Sequence, residues 1–184
     1  MENQNNNTPT NTYKTTNNKL VTGMFRNRES TENAYNALHE KGYNKDEVHL
    51  LMSHDTRKKH FGDDDTEIGT KAAEGLGKGS AIGGAVGAIA GAIAAIGTAL
   101  VIPGLGLVIA GPIAAGLAGA GAGGLTGGIV GALVGAGIPE ERARIYEDGI
   151  KKGNVVIGVN PRNDEDAEYI KNNWKQNNGE EIHH

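Results

Sequence analysis

The chain of 184 residues contains no cysteine, and only 4% of its residues are aromatic. Without cysteine there can be no disulfides and no thiolate metal sites, and the composition favours a reducing compartment. So few aromatic residues leave little bulk for a conventional core along the whole chain. The N-terminus also lacks the basic, apolar and small-residue order of a signal peptide, so we expect no export by that route.

Signatures of nucleic-acid binding and catalysis are missing as well. The net charge is −4 and the basic residues are scattered, so no basic patch indicates nucleic acid. A stretch at 75–80 resembles a phosphate loop, but Gly79 interrupts its Lys-Ser step. His54, His60 and the acidic run 63–65 could supply metal ligands, but nothing fixes their geometry, which favours a solvated loop. We therefore expect a non-enzymatic protein without metal or cofactor.

Composition and hydrophobic periodicity divide the chain into five parts. They are a disordered Asn/Thr-rich tail (1–18), the first half of an α/β domain (19–70), a glycine-rich insertion (71–138), the second half of that domain (139–178) and a flexible C-terminus (179–184). The insertion, as this name is used below, is residues 71–138.

The two halves of the α/β domain carry alternating strand and helix patterns. The predicted elements are strands at 20–25, 48–52 and 155–159, and helices at 28–41, from Pro139 to Gly153, and from Asp164 onward. The order β-α-β, insertion, α-β-α predicts a mixed α/β (α+β) fold in which helices cover a small sheet.

The insertion has no charged residue from 79 to 138, a run of 60 positions. Four residues near its middle are typical of a turn: Pro103, Gly104, Gly111 and Pro112. This pattern predicts a helical hairpin with two arms of about 24 residues. Each arm would be roughly 36 Å long, enough to cross a hydrocarbon core of about 30 Å.

Small residues recur at every fourth position in both arms. The candidate helix-packing residues are Gly79, Gly83, Gly87 and Gly91 in the first arm, and Gly119, Gly123, Gly127, Gly131 and Gly135 in the second. This spacing makes a smooth groove along a helix, in which another backbone can approach closely. Since glycine costs about 1 kcal/mol against alanine in a helix, we expect tight packing to offset that loss.

Three arrangements of the insertion remain open on sequence alone. The first is a transmembrane helical hairpin in a bacterial inner membrane, with the α/β domain in the cytoplasm. The run is rich in Gly and Ala and has no aromatic belt, so a peripheral or soluble cytoplasmic homo-oligomer is the second. In the third, the insertion folds onto its own domain. We expect self-association, with membrane lipid as a further partner, and keep a small-ligand-binding α/β domain as an alternative.

Two blocks of the α/β halves resemble the heat-induced general stress protein family of the 17M type. The first is GYNKDEVHLLMSHD at 42–55, and the second is GIPEERARIYEDGIKKGNVV at 137–156. The resemblance implies a bacterial, stress-response protein without catalysis, and it supplies no active site. The shorter members lack the insertion, so the resemblance implies that the α/β halves fold without it.

Overall fold

The computed structural model describes residues 20–61, 100–102, 106–114, 127–135 and 137–184. The fold is mixed α/β, as the sequence predicts. Its elements in chain order are β1 (Val21–Phe25), α1 (Arg28–Glu40), β2 (Val48–Ser53), α2 (His54–Phe61), β3 (Leu100–Ile102), β4 (Leu107–Ala110), α3 (Gly128–Gly135), α4 (Glu140–Lys151), β5 (Val155–Val159), α5 (Asp164–Gln176) and β6 (Glu180–His183). A short 3₁₀ turn, Lys45–Glu47, precedes β2.

The strands form one sheet in the order β3-β4-β2-β5-β1-β6, and every neighbouring pair is antiparallel. The strands β1, β2, β4 and β5 are buried over all or nearly all of their residues. Side chains alternate across a strand, so burial on both sides means that both faces of the sheet are covered.

The first face of the sheet packs against α1 and α5. This core is rich in aromatic residues, and Trp174 lies at its centre with no exposed surface. Its indole Nε1 donates to the carbonyl of Ala34, 3.2 Å away, and its ring meets Phe25 edge to face at 5.6 Å. Both covering helices begin at an asparagine: Asn27 caps α1, and Asn163, rather than the predicted Asp164, caps α5.

The second face packs against α3 and α4, and its core is built mainly from aliphatic and small side chains. Ala143, Tyr146 and Ile150 form the inward face of α4, and all three side chains are buried. The chain passes from α3 to α4 through Gly137, whose φ of +89° and N–H bond to the Val134 carbonyl form a left-handed helix cap.

Two parts of the chain differ from the sequence prediction. Residues 180–183, expected to be flexible, form the edge strand β6. Its pairing with β1 shifts register between Thr22 and Met24. Its residues are partly exposed and show little hydrophobic alternation, which explains why no strand was predicted there. The larger difference lies in the insertion: its described middle is a β-hairpin, β3–β4, rather than the turn of a helical hairpin.

Candidate functional site at the junction of the sheet and the insertion

Strand β4 joins the middle of the insertion to the centre of the domain. It pairs with β2 from Leu50↔Ala110 to Ser53↔Leu107, and β3 extends the sheet beyond it. Eight of the fourteen residues in the second-face core belong to the insertion: Leu107, Ile109, Ile113, Ala114, Ile129, Ala132, Leu133 and Ile138. The described parts of the insertion are therefore part of the domain core, which departs from the predicted division into separate modules.

The predicted turn residues have new roles. Gly111 and Pro112 follow β4 and lead into residues 112–114, which are helical. Gly111 has a φ of +87°, and a Cβ built on it would lie 2.0 Å from the Val48 carbonyl oxygen. Only glycine allows the chain to leave β4 this close to β2. Pro103 and Gly104 lie outside the described residues.

A buried histidine on β2 holds the chain just after Gly111. His49 is 3% exposed, and its Nδ1 accepts the backbone N–H of Ile113 at 3.1 Å. The Ala114 N–H then donates to the Gly111 carbonyl at 2.9 Å. No group in the described part of the chain pairs with His49 Nε2. Burial lowers the pKa of this imidazole to about 4, so it is neutral at pH 7.

His49 begins a row of residues that crosses the second face of the sheet. It is opposite Gly158 on β5, Gly158 is opposite Thr22 on β1, and Thr22 is opposite His183 on β6. The Tyr146 hydroxyl lies 2.7 Å from Thr22 Oγ1 and 2.8 Å from the Glu181 carbonyl oxygen. Burial is the main cause of its raised pKa. This row is polar inside an otherwise apolar core.

A cavity of about 320 Å³ opens at the β6 end of this row. Its polar lining comes from Thr22, His183 and His184, and Ile138 and Pro139 close it on the side of α4. The cavity can offer hydrogen bonds to a small molecule. Within the described ranges no three His, Asp, Glu or Cys residues lie together as a metal site would need.

Of the candidate metal residues identified in the sequence, only His54 and His60 lie in the described part of the chain. His54 is exposed and starts α2, which runs to Phe61 and includes His60, so this stretch is helical rather than a loop. The acidic run 63–65 and the phosphate-loop-like stretch 75–80 lie outside the described residues. The sequence did not single out His49 or Thr22. Both residues are polar side chains inside short, strongly apolar predicted strands, and this feature could have identified them.

Three of the nine predicted helix-packing glycines lie in the described structure. Gly127, just before α3, and Gly135, at its end, are exposed, and Gly131, in its middle, is half-buried. Apart from its chain neighbours and the backbone of α3, a Cβ built on Gly135 would have no atom of the described residues within 4 Å. The remaining six, Gly79, Gly83, Gly87, Gly91, Gly119 and Gly123, lie outside the described residues.

Helix α3 therefore has two different sides. Ile129, Ala132 and Leu133 are buried in the second-face core. Val134, 43% exposed, and Gly135 lie on the outward side. An inward apolar face combined with an outward face of small and β-branched residues is the pattern of a helix that can pack on two sides.

Comparisons with known proteins add no relative. No family model, curated protein or solved structure matches the chain. Among the helices of the described ranges, none is long and apolar enough to cross a membrane. The resemblance to general stress proteins stays a prediction.

Proposed function

We propose that this chain is a non-enzymatic, bacterial general-stress-type protein that acts by association. In this proposal the glycine-rich insertion packs helix against helix between copies at the inner membrane, and the α/β domain lies on the cytoplasmic side. The stress role comes from the sequence resemblance. The association role comes from the spacing of the glycines and from the exposure of α3.

The observation that carries the proposal is the outward face of α3. Gly127, Gly131 and Gly135 are four residues apart, and none of the three is fully buried by the domain. Val134 lies exposed beside this row. A helix of a second copy could approach such a surface closely, because no large side chain stands in the row.

The second arm of the insertion is anchored to the domain at two places. These anchors limit how far the arm can extend into a bilayer. Ile113 and Ala114 pack in the second-face core, as do Ile129 and Leu133. Only residues 115–128 lie between these anchors, and fourteen residues span at most about 50 Å even when extended. Crossing a core of about 30 Å and returning needs roughly 60 Å. The proposal therefore places membrane contact of this arm at the surface.

Membrane association itself rests on the absence of charge from 79 to 138. A cytoplasmic homo-oligomer is the alternative, and it uses the same glycine row without lipid. Flotation with vesicles of phosphatidylethanolamine and phosphatidylglycerol separates the two: binding supports the membrane form, and a protein that assembles but stays unbound supports the cytoplasmic scaffold.

The test of association is Gly135→Leu. This change adds apolar surface, so simple partitioning into lipid should be kept or increase. It also places a bulky side chain in the row, and overpacking of about 1–3 kcal/mol per site should weaken dimerisation by roughly 5- to 150-fold. Analytical ultracentrifugation in buffer and in detergent measures this change. Gly135 suits the test because a Cβ there would have no described atom within 4 Å, leaving aside its chain neighbours and the backbone of α3.

The matched control is Asn172→Leu, which adds an apolar side chain to an exposed position of α5. Its self-association should equal that of the parent. Gly127 is a poorer choice, because a Cβ there would lie 2.8 Å from the Gly131 Cα and disturb α3 itself. If Gly135→Leu assembles as well as the parent, the glycine row is not the interface and the proposal fails.

A further inference from the structure

His49 fixes the point at which the chain leaves the sheet after β4. Its imidazole is 97% buried, since 3% remains exposed, and it accepts the Ile113 N–H through Nδ1. Because Nδ1 accepts, the single proton of the neutral ring is on Nε2. The bond therefore exists only in one protonation state and one tautomer.

Protonation of His49 would place an N–H on Nδ1, opposite the N–H of Ile113. Two donors 3.1 Å apart cannot bond, and both would be left unsatisfied in a buried site. Nε2–H already lacks a partner among the described groups, so the second proton would bring a charge into an apolar core without compensation. The closed arrangement therefore disfavours the protonated ring.

Among the described residues, the groups packed around His49 offer no compensating charge. Gly158 on β5 lies against its ring, and Thr22 lies beyond Gly158 on β1. The inward residues of α3 and β4 are apolar. The titratable groups on this face are Tyr146 of α4, bonded to Thr22, and His183 of β6, paired with Thr22 at the far end of the row.

We propose that His49 and residues 111–114 form an acid-sensitive latch, which holds the start of the second arm of the insertion on the sheet and releases it when His49 is protonated. The latch itself stands on the described geometry. Its consequence, that acid frees the arm to associate with other copies or with lipid, rests on the proposed function.

The size of the effect follows from the two protonation equilibria. In the open form the histidine has its ordinary pKa of 6.5, and in the closed form the pKa is about 4. Between these two pKa values the open form binds a proton that the closed form does not. The population of the open form therefore rises as the pH falls. From pH 7.5 to pH 5 the rise is about 30-fold. Near neutral pH the latch stays closed.

Amide hydrogen exchange on the full chain tests the latch, with protection factors corrected for intrinsic exchange. From pH 7.5 to pH 5 the protection of Ile113 and Ala114 should fall about 30-fold, while Ile157 in the central strand β5 keeps its protection. In His49→Asn this fall should vanish, because an amide oxygen can accept from Ile113 and does not titrate. The control His183→Asn, which removes the other histidine of the row, should behave like the parent.

Four results would overturn the latch: protection of Ile113 that does not change with pH, an equal fall at Ile157, a fall that persists in His49→Asn, or its loss in His183→Asn. If His49→Asn does not fold, the ¹⁵N chemical shifts of the His49 ring in the parent show which ring nitrogen carries the proton. A proton on Nδ1 at pH 7.5 would contradict the proposal. Amide protection is measured on the monomer, whereas the Gly135→Leu experiment measures dimerisation. A failure of the latch can therefore be told apart from a failure of the proposed function.

Discussion

The two faces of the sheet are covered by different kinds of core. On the first face, α1 and α5 supply bulky residues, including Tyr35 and the fully buried Trp174. On the second face, eight of the fourteen core residues come from the insertion, and Tyr146 is its single aromatic residue among those described. A segment that looks like an independent hairpin in the sequence can therefore supply more than half of the described core on one face of a sheet.

The faces also differ in their buried polar groups. On the first face, the polar atom of Trp174 is paired within the core. On the second face, His49 Nε2 has no partner among the described groups, and the Tyr146 hydroxyl bonds to Thr22. An unpaired buried donor weakens a fold, whereas a satisfied one does not. Within the described residues, the second face is thus the one that contains a buried polar atom without a partner, at the site of the proposed latch.

The largest expected effect comes from removing the insertion. Replacing residues 80–137 by a short Gly/Ser linker deletes β4 and α3, so the second face loses most of its aliphatic core and β2 loses a partner strand. We expect the product to lose cooperative unfolding in urea, monitored by circular dichroism. Removing residues 2–17 of the polar tail, as the control, should leave the thermal midpoint unchanged. A cooperatively folding product without the insertion would restore the picture of two separate modules.

Sequence reasoning identified the first face because its helices alternate charged and apolar residues. In α1, Ala34 and Leu38 are buried and lie four residues apart, as on one face of a helix, and the helix starts at the polar cap Asn27. The same signal placed α4 and β5 correctly.

The second face escaped sequence reasoning because the insertion is apolar on every side. Without polar positions, periodicity cannot separate a strand of four residues, such as β4, from part of a helix. The Gly111–Pro112 pair signals a break, but it does not reveal that the chain beside it joins a sheet. His49 was missed because its role depends on Ile113, 64 positions away along the chain.

A smaller effect tests how closely the end of β4 approaches β2. Gly111→Ala places a methyl group 2.0 Å from the Val48 carbonyl oxygen and also imposes a left-handed backbone on alanine, so we expect a loss of at least about 2–3 kcal/mol. Gly106→Ala is the matched control: its φ is +58°, but a Cβ there meets nothing within 4 Å, so the loss should be about 1 kcal/mol. Equal shifts of the two urea midpoints would show that Gly111 is not in close contact with β2.

The most direct test of the account compares two neighbouring residues of α3. Leu133 has no exposed surface and lies in the second-face core, whereas Val134 is 43% exposed on the outward side. Measured by urea unfolding of the monomer, Leu133→Ala should reduce the free energy of unfolding by about 2–5 kcal/mol, and Val134→Ala by less than about 0.5 kcal/mol. Equally small losses at both positions would mean that α3 does not belong to the domain core, and would contradict the account.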